Sequence, residues 1–67
     1  MEVRGFVDSF DEARGVGVVT SEEGESLGFH CVDIADGTRT ILVGARVRAR
    51  RSVGRLGHDE LVTIEKL

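Results

Sequence analysis

Two short stretches of the sequence decide the fold: Ala13-Arg14-Gly15-Val16-Gly17-Val18-Val19 and Leu27-Gly28-Phe29-His30-Cys31. Both combine glycine with β-branched or aromatic residues, a composition that favours short strands paired side by side. Successive residues of a strand point to opposite faces, so Val16 and Val18 share one face while Gly17 and Val19 share the other. We expect one face to enter the core and the other to present Val16 and Val18 to whatever lies outside.

The length and cysteine content limit the possible architectures. A chain of 67 residues forms one small domain, residues 1–67, whose stability comes from a single core. Its one cysteine, Cys31, excludes a disulfide within the chain. The N-terminus is charged, and no apolar run approaches the length of a membrane span. We therefore expect a cytoplasmic protein in a reducing compartment, with no membrane association.

Acidic and basic residues are separated along the chain. Residues 1–37 carry a net charge of −7, residues 38–55 carry +6 without a single acid, and residues 56–67 carry −2, which gives −3 overall. A net negative charge weakly disfavours a nucleic-acid ligand, since proteins that bind nucleic acids usually carry a basic surplus. The run of arginines nevertheless predicts a compact basic patch on an acidic protein.

Glycines and β-branched runs predict an all-β fold. The chain has no proline and nine glycines, and its apolar residues lack helical spacing. Five strands are expected, with a single helical or 3₁₀ turn at 32–34. The apolar residues of the first strand do not alternate cleanly, so a bend or a bulge is expected at Gly5. Their predicted bounds are Val3–Phe10, Gly15–Thr20, Ser26–Cys31, Ala45–Val53 and Glu60–Glu65, with a last loop at Gly54–His58. Closure into a small antiparallel barrel would remove the exposed strand edges.

Several short motifs follow one another along the chain in a specific order and spacing. Gly5-Phe6-Val7, Phe10-Asp11 and Arg14–Val19 are similar to the G-x-V-x-W-F-N and K-G-F-G-F-I segments of the bacterial cold-shock domain family. Further matches follow at Phe29-His30, Ile34, Thr40–Val47 and Val62-Thr63. The resemblance covers nearly the whole chain. It implies a five-stranded OB-fold barrel that binds single-stranded DNA and RNA.

The sequence departs from this family at the positions where its aromatic rings stack on bases. Those positions carry Ser9, Val16, Val18, Gly28, Cys31 and, across a one-residue gap, Thr38. Asp8 stands where the family has a basic residue, and a carboxylate there repels phosphate. Each stacked ring contributes on the order of 1–3 kcal/mol per base, so most of the family's affinity should be lost.

Two groups of residues are candidates for binding nucleic acid. The first lies on the family's binding face and comprises Phe10, Arg14, Val16, Val18 and His30. The second is basic and comprises Arg39, Arg46, Arg48 and Arg50, with Arg51 and Arg55 nearby. In the predicted strand 45–53, Val47 and Ala49 alternate with arginines that share the opposite face, a spacing suited to a phosphate backbone. The alternative is a solvated face neutralised by acids of residues 1–37.

The function expected from these residues is weak, largely electrostatic binding of single-stranded DNA or RNA by a divergent cold-shock-domain protein. The alternative is a protein-interaction or self-associating module that uses Val16 and Val18 or the arginine face. No enzymatic activity and no cofactor are expected, because Cys31 with a histidine is the only nucleophile pair and a barrel this small has no large cleft. No metal site is expected either, since His30 and Cys31 are adjacent and should point to opposite faces.

Overall fold

Five strands form a closed barrel in the computed structural model, which describes residues 2–53 and 59–67. The strands are β1 (Glu2–Asp11), β2 (Val16–Ser21), β3 (Ser26–His30), β4 (Arg46–Val53) and β5 (Asp59–Lys66). The all-β prediction and its five strands are confirmed, and the architecture is consistent with a small OB-fold-like barrel. The predicted last loop, Gly54–His58, lies outside the described residues. Within the described part of the chain, no helix is long and apolar enough to cross a membrane.

The strands are hydrogen-bonded in the order β1-β2-β3-β5-β4, and β4 returns to β1. Four of these pairings are antiparallel, while β3 and β5 run parallel where Gly28 pairs with Glu60 and Phe29 with Leu61. β1 therefore lies between β2 and β4. Its outer surface joins the valine-bearing strand to the arginine-bearing strand.

The core contains side chains from every strand. Val7, Val19, Val47, Leu61 and Ile64 are the largest fully buried residues. Val19 and Gly17 are buried while Val16 and Val18 are half-buried on the opposite face, as the alternation in β2 predicted. The alternation predicted for β4 is also confirmed, because Val47 and Ala49 are buried between the arginines. Val16 and Val18 on β2 and the arginines on β4 are thus exposed on two strands that flank β1.

The bulge predicted at Gly5 is wrong. The β1–β2 register runs regularly through Gly5 and shifts between Val7 and Ser9, where Asp8 is the extra residue. Gly5 instead allows a close approach of strands: a Cβ there would lie 2.9 Å from the Cα of Ser21 and closer still to the carbonyl oxygen of Thr20. The absence of a side chain at this position therefore serves strand packing, and the bend in β1 comes at Asp8.

A second bulge lies in β5. Arg48 pairs with Glu65 and Arg50 with Val62, so that Thr63 and Ile64 together oppose the single residue Ala49. Thr63 has φ 52°, a left-handed conformation that a β-branched residue rarely adopts. The extra residue lets Ile64 enter the core while Val62 stays on the outer surface.

The connection from β3 to β4 begins with a 3₁₀ turn at Cys31–Asp33 and is fastened to β5. Cys31 was expected to end β3 and belongs instead to this turn. The amide of Ala35 donates to the carbonyl oxygen of Ile64 (2.7 Å), and Lys66 Nζ lies 3.1 Å from a carboxylate oxygen of Asp36. The Thr38 hydroxyl and amide, and then Lys66, lower the pKa of Asp36 to about 2.

Candidate nucleic-acid interface

The outer surface of β1, β2 and β3 carries Val16 and Val18 at its centre. Val16 pairs with Asp11 of β1 and with His30 of β3, and Val18 pairs with Ser9 and Gly28. Directly paired residues point to the same face of a sheet. These side chains therefore form one continuous surface.

Four of the predicted binding residues line one shallow depression on this surface. Phe10, Arg14, Val16 and Val18 border it, together with Ser9 and Asp11, and its volume is about 300 Å³. His30 belongs to the same surface because it pairs with Val16, and its side chain is exposed. The barrel thus brings together the whole first group of candidate residues.

Phe10 is partly committed to the core. Its ring stacks on Phe29 with 6.0 Å between centroids and 6° between planes, and Phe29 is buried. Gly17 makes this pair possible, since a Cβ there would lie 2.6 Å from Cζ of Phe29. Phe10 is half-buried, so part of the ring borders the depression while one face packs inward.

The turn between β1 and β2 positions Arg14. Asp11 accepts hydrogen bonds from the amide of Arg14 at its side chain (3.2 Å) and from the amide of Gly15 at its carbonyl oxygen (2.8 Å). Gly15 takes the left-handed conformation (φ 68°) that this turn requires, and its carbonyl oxygen accepts from the amide of Cys31 (2.7 Å). The turn is therefore tied to the end of β3, with the Arg14 side chain exposed beside the depression.

The second group of candidates is spread over β4 and the preceding connection. On the outer surface of β4, Arg46 pairs with Phe6 of β1, Arg48 with Arg4, and Arg50 with Glu2. These arginines form the predicted row along one strand. Arg39 is exposed and lies in the connection before β4, apart from this row. Arg55 lies outside the described residues.

Acidic side chains neutralise part of the arginine row. Arg48 is paired with Glu65 (2.8 Å) and with Glu2 (3.4 Å), and its pKa is raised mainly by the hydrogen bond to Glu65. Arg46 pairs with Glu22 at 3.5 Å. Within residues 2–53 and 59–67, Arg50 has no acidic partner at salt-bridge distance. Two of the three arginines of the row are therefore paired with acids: Glu2 and Glu22 come from residues 1–37, and Glu65 comes from β5.

Arg51 belongs to the end of the barrel. It pairs in register with the buried Leu61 and binds Glu25 and Asp59 at 2.5 Å and 3.1 Å. The hydrogen bond that Arg51 donates to Glu25 is the main cause of its raised pKa. Arg51 has the same parity in β4 as the buried Val47 and Ala49, and two carboxylates pair with its guanidinium, so Arg51 is not part of the row.

Sequence reasoning missed one surface residue, Phe6. Its side chain is 40% exposed and stands on the outer surface of β1, paired with Thr20 of β2 and Arg46 of β4. The signal was present, because Val3, Gly5 and Val7 alternate as inward positions and leave Phe6 outward.

The sequence has no match among protein-family models or curated proteins.

Proposed function

We propose that this barrel binds single-stranded DNA or RNA weakly, as a divergent member of the cold-shock domain family. The observation that carries the proposal is the gathering of Phe10, Arg14, Val16 and Val18 around one depression, with His30 beside Val16. Apolar side chains can contact the faces of bases, while Arg14 and His30 supply groups that bond to phosphates and base edges. The five-stranded barrel and the motif order of the sequence agree with this assignment.

The affinity should be far below that of a surface bearing aromatic rings. Val16 and Val18 offer small apolar contacts without a stacking plane, and Phe10 has one face turned to Phe29. Since each stacked base is worth on the order of 1–3 kcal/mol, an interface with so little ring area depends on charge. Exposed arginines such as Arg14 and Arg50 supply it.

The test is a fluorescence anisotropy titration at low salt with labelled oligo-dT and oligo-rU of equal length. A labelled ligand is needed because the protein has no tryptophan or tyrosine. We expect saturable binding whose logarithmic salt slope is about −1.4 to −2.1, as for two or three neutralised phosphates on a single strand. Absence of saturable binding at high micromolar protein would refute the proposal.

Variants locate the contact. His30→Ala and Arg14→Ala should each weaken binding, whereas Ser26→Ala, an exposed residue at the other end of β3, should not. In an NMR titration with the same oligonucleotides, the backbone amide resonances of Val16 and Val18 should change their chemical shifts. If both alanine variants bind as well as the parent protein, the proposed surface is wrong even where binding is real.

A second candidate function is protein interaction or self-association through the Val16 and Val18 surface. The ion pairs of Arg46 and Arg48 favour it, since a neutralised face attracts phosphate less strongly. Sedimentation velocity over a concentration series tests the self-associating form, which requires that a Val18→Glu variant dissociate the oligomer. A strict monomer at all concentrations would refute that form.

A further inference from the structure

Phe6 and Arg46 form a second surface group, separate from the depression on β2. Their residues pair directly across β1 and β4, so both side chains rise from the same outer face. Phe6 is 40% exposed, and the Arg46 side chain is 62% exposed. An exposed aromatic ring beside a guanidinium group is a combination suited to one nucleotide, since the ring stacks on a base and the guanidinium binds a phosphate.

Glu22 holds Arg46 across the outer surface of β1. Arg46 lies on β4 and Glu22 directly follows β2, and β1 runs between these two strands. The 3.5 Å ion pair therefore directs the Arg46 side chain across β1, from its position opposite Phe6 towards Glu22. The backbone of Glu22 is held next to β1, because its amide donates a hydrogen bond to the carbonyl oxygen of Arg4 (2.9 Å). Both side chains of the pair are more than half exposed, so the pair is weak and open to exchange.

We infer that Phe6 and Arg46 bind one nucleotide of a single strand, and that Glu22 competes with its phosphate for Arg46. The inference rests on the proposed function. It extends the binding surface from the depression, which lies towards β2, across the outer surface of β1 to β4. Phosphate replaces the carboxylate as the partner of Arg46, while the base covers the exposed ring of Phe6. Thr20 of β2 pairs with Phe6 and lies on the outer surface between this group and the depression.

The neighbours of Phe6 favour a nucleotide over a protein partner. Thr20 of β2 and Arg46 of β4 pair with Phe6, and Arg4 lies two residues before it on the same face of β1, where its Nε is 3.5 Å from Glu2. Protein partners generally require a broader apolar centre than one isolated ring. A single ring with flanking guanidinium groups instead matches the alternating base and phosphate of a strand.

Two substitutions with opposite expected effects test the inference in anisotropy titrations. Phe6→Leu keeps an apolar side chain but removes the stacking plane, and affinity for oligo-dT and oligo-rU should fall about 5-fold or more. Glu22→Gln frees Arg46, and affinity should rise by up to about 5-fold. Glu23→Gln is the matched control, because it makes the same change in net charge and Glu23 has no ion pair within the described residues. Circular dichroism confirms that each variant is folded.

A strand of abasic sites of the same length separates stacking from charge. Phe6→Leu should leave its binding unchanged, while Glu22→Gln should still strengthen it. If Phe6→Leu binds oligo-dT like the parent while His30→Ala weakens binding, this inference is overturned and the proposed function stands. Equal effects of Glu22→Gln and Glu23→Gln would overturn the competition at Arg46. If the parent protein and Glu22→Gln both fail to bind, the proposed function and this inference are overturned together.

Discussion

Replacing Gly5 with alanine tests how closely the strands of the barrel approach one another. Gly5 pairs with Ser21 on β2 and with Val47 on β4, so the backbone at this position is enclosed on both sides. An added Cβ would lie 2.9 Å from the Cα of Ser21 and nearer still to the carbonyl oxygen of Thr20. These neighbours are backbone atoms, and they cannot turn away as a side chain can. β1 and β2 would have to separate.

The expected loss is a large part of the total stability. Overpacking costs about 1–3 kcal/mol, and contacts with backbone place Gly5→Ala at the upper end of that range. A domain of this size has about 3–10 kcal/mol in total. Since 1 kcal/mol corresponds to about 4–8 °C for a small domain, Tm should fall by roughly 10–20 °C.

Gly28→Ala is the matched control. It makes the same substitution in a neighbouring part of the sheet, but its added Cβ would meet only the carbonyl oxygen of Gly17, at 3.9 Å. We expect its free energy of unfolding to change by less than about 1 kcal/mol. Thermal and urea unfolding are followed by far-ultraviolet circular dichroism, since tryptophan and tyrosine are absent. Equal stability of Gly5→Ala and Gly28→Ala would refute the close-approach argument.

Three other substitutions test the binding surface, the packing of Phe10 on Phe29, and the connection between β3 and β4. A Cβ at Gly28 would meet only the carbonyl oxygen of Gly17, at 3.9 Å, so Gly28→Phe should be tolerated and should tighten oligonucleotide binding in anisotropy titrations by about 1–3 kcal/mol, as for one base stacked on the new ring. Unchanged affinity would argue against this surface. Phe10→Leu removes the ring stack on Phe29 and should lower the free energy of unfolding in urea by about 0.5–1.5 kcal/mol. The pKa of Asp36, held at about 2 against a usual 3.8 mainly by the Thr38 hydroxyl, makes Asp36 stabilising above about pH 4, and this contribution is lost as the pH falls towards 2. Urea unfolding from pH 5 to 2 should therefore show a steeper loss for the parent protein than for Asp36→Asn; parallel curves would contradict this.

The strands and their faces were predictable from local pattern. Alternation in β2 assigned Val16 and Val18 to the outside, and alternation in β4 assigned Val47 and Ala49 to the core. Both readings depend only on the two-residue period of a strand. The grouping of Phe10 with Arg14 and Val16 followed from the motif order, which a barrel of this topology brings to one depression.

The bends could not be predicted in the same way. A bend or a bulge was expected at Gly5 because the apolar residues of the first strand do not alternate cleanly, yet the register shifts at Asp8. Glycine at a close approach and glycine at a bulge look alike in a sequence. The left-handed Thr63 in β5 gave no signal either, because β-branched residues rarely occur there.

The partners of the arginines were also beyond sequence reasoning. Glu22 and Arg46, or Glu25 and Arg51, meet only after the barrel has closed. The segment charges predicted that acids could neutralise the arginines without saying which acid would reach which arginine. Phe6 was not placed on the outer surface because the apolar residues Val3, Phe6 and Val7 do not alternate cleanly in the sequence.

The parallel contact between β3 and β5 has a consequence for how the barrel opens. In the described part of the chain it comprises two residue pairs, Gly28 with Glu60 and Phe29 with Leu61, fewer than any other strand pairing. Separation there turns the barrel into a curved open sheet while the antiparallel ladders stay intact. The freed edges of β3 and β5 then present unpaired amides and carbonyls, to which a strand of another chain can add. This contact is therefore the place where we expect the barrel to be most open to strand exchange and aggregation.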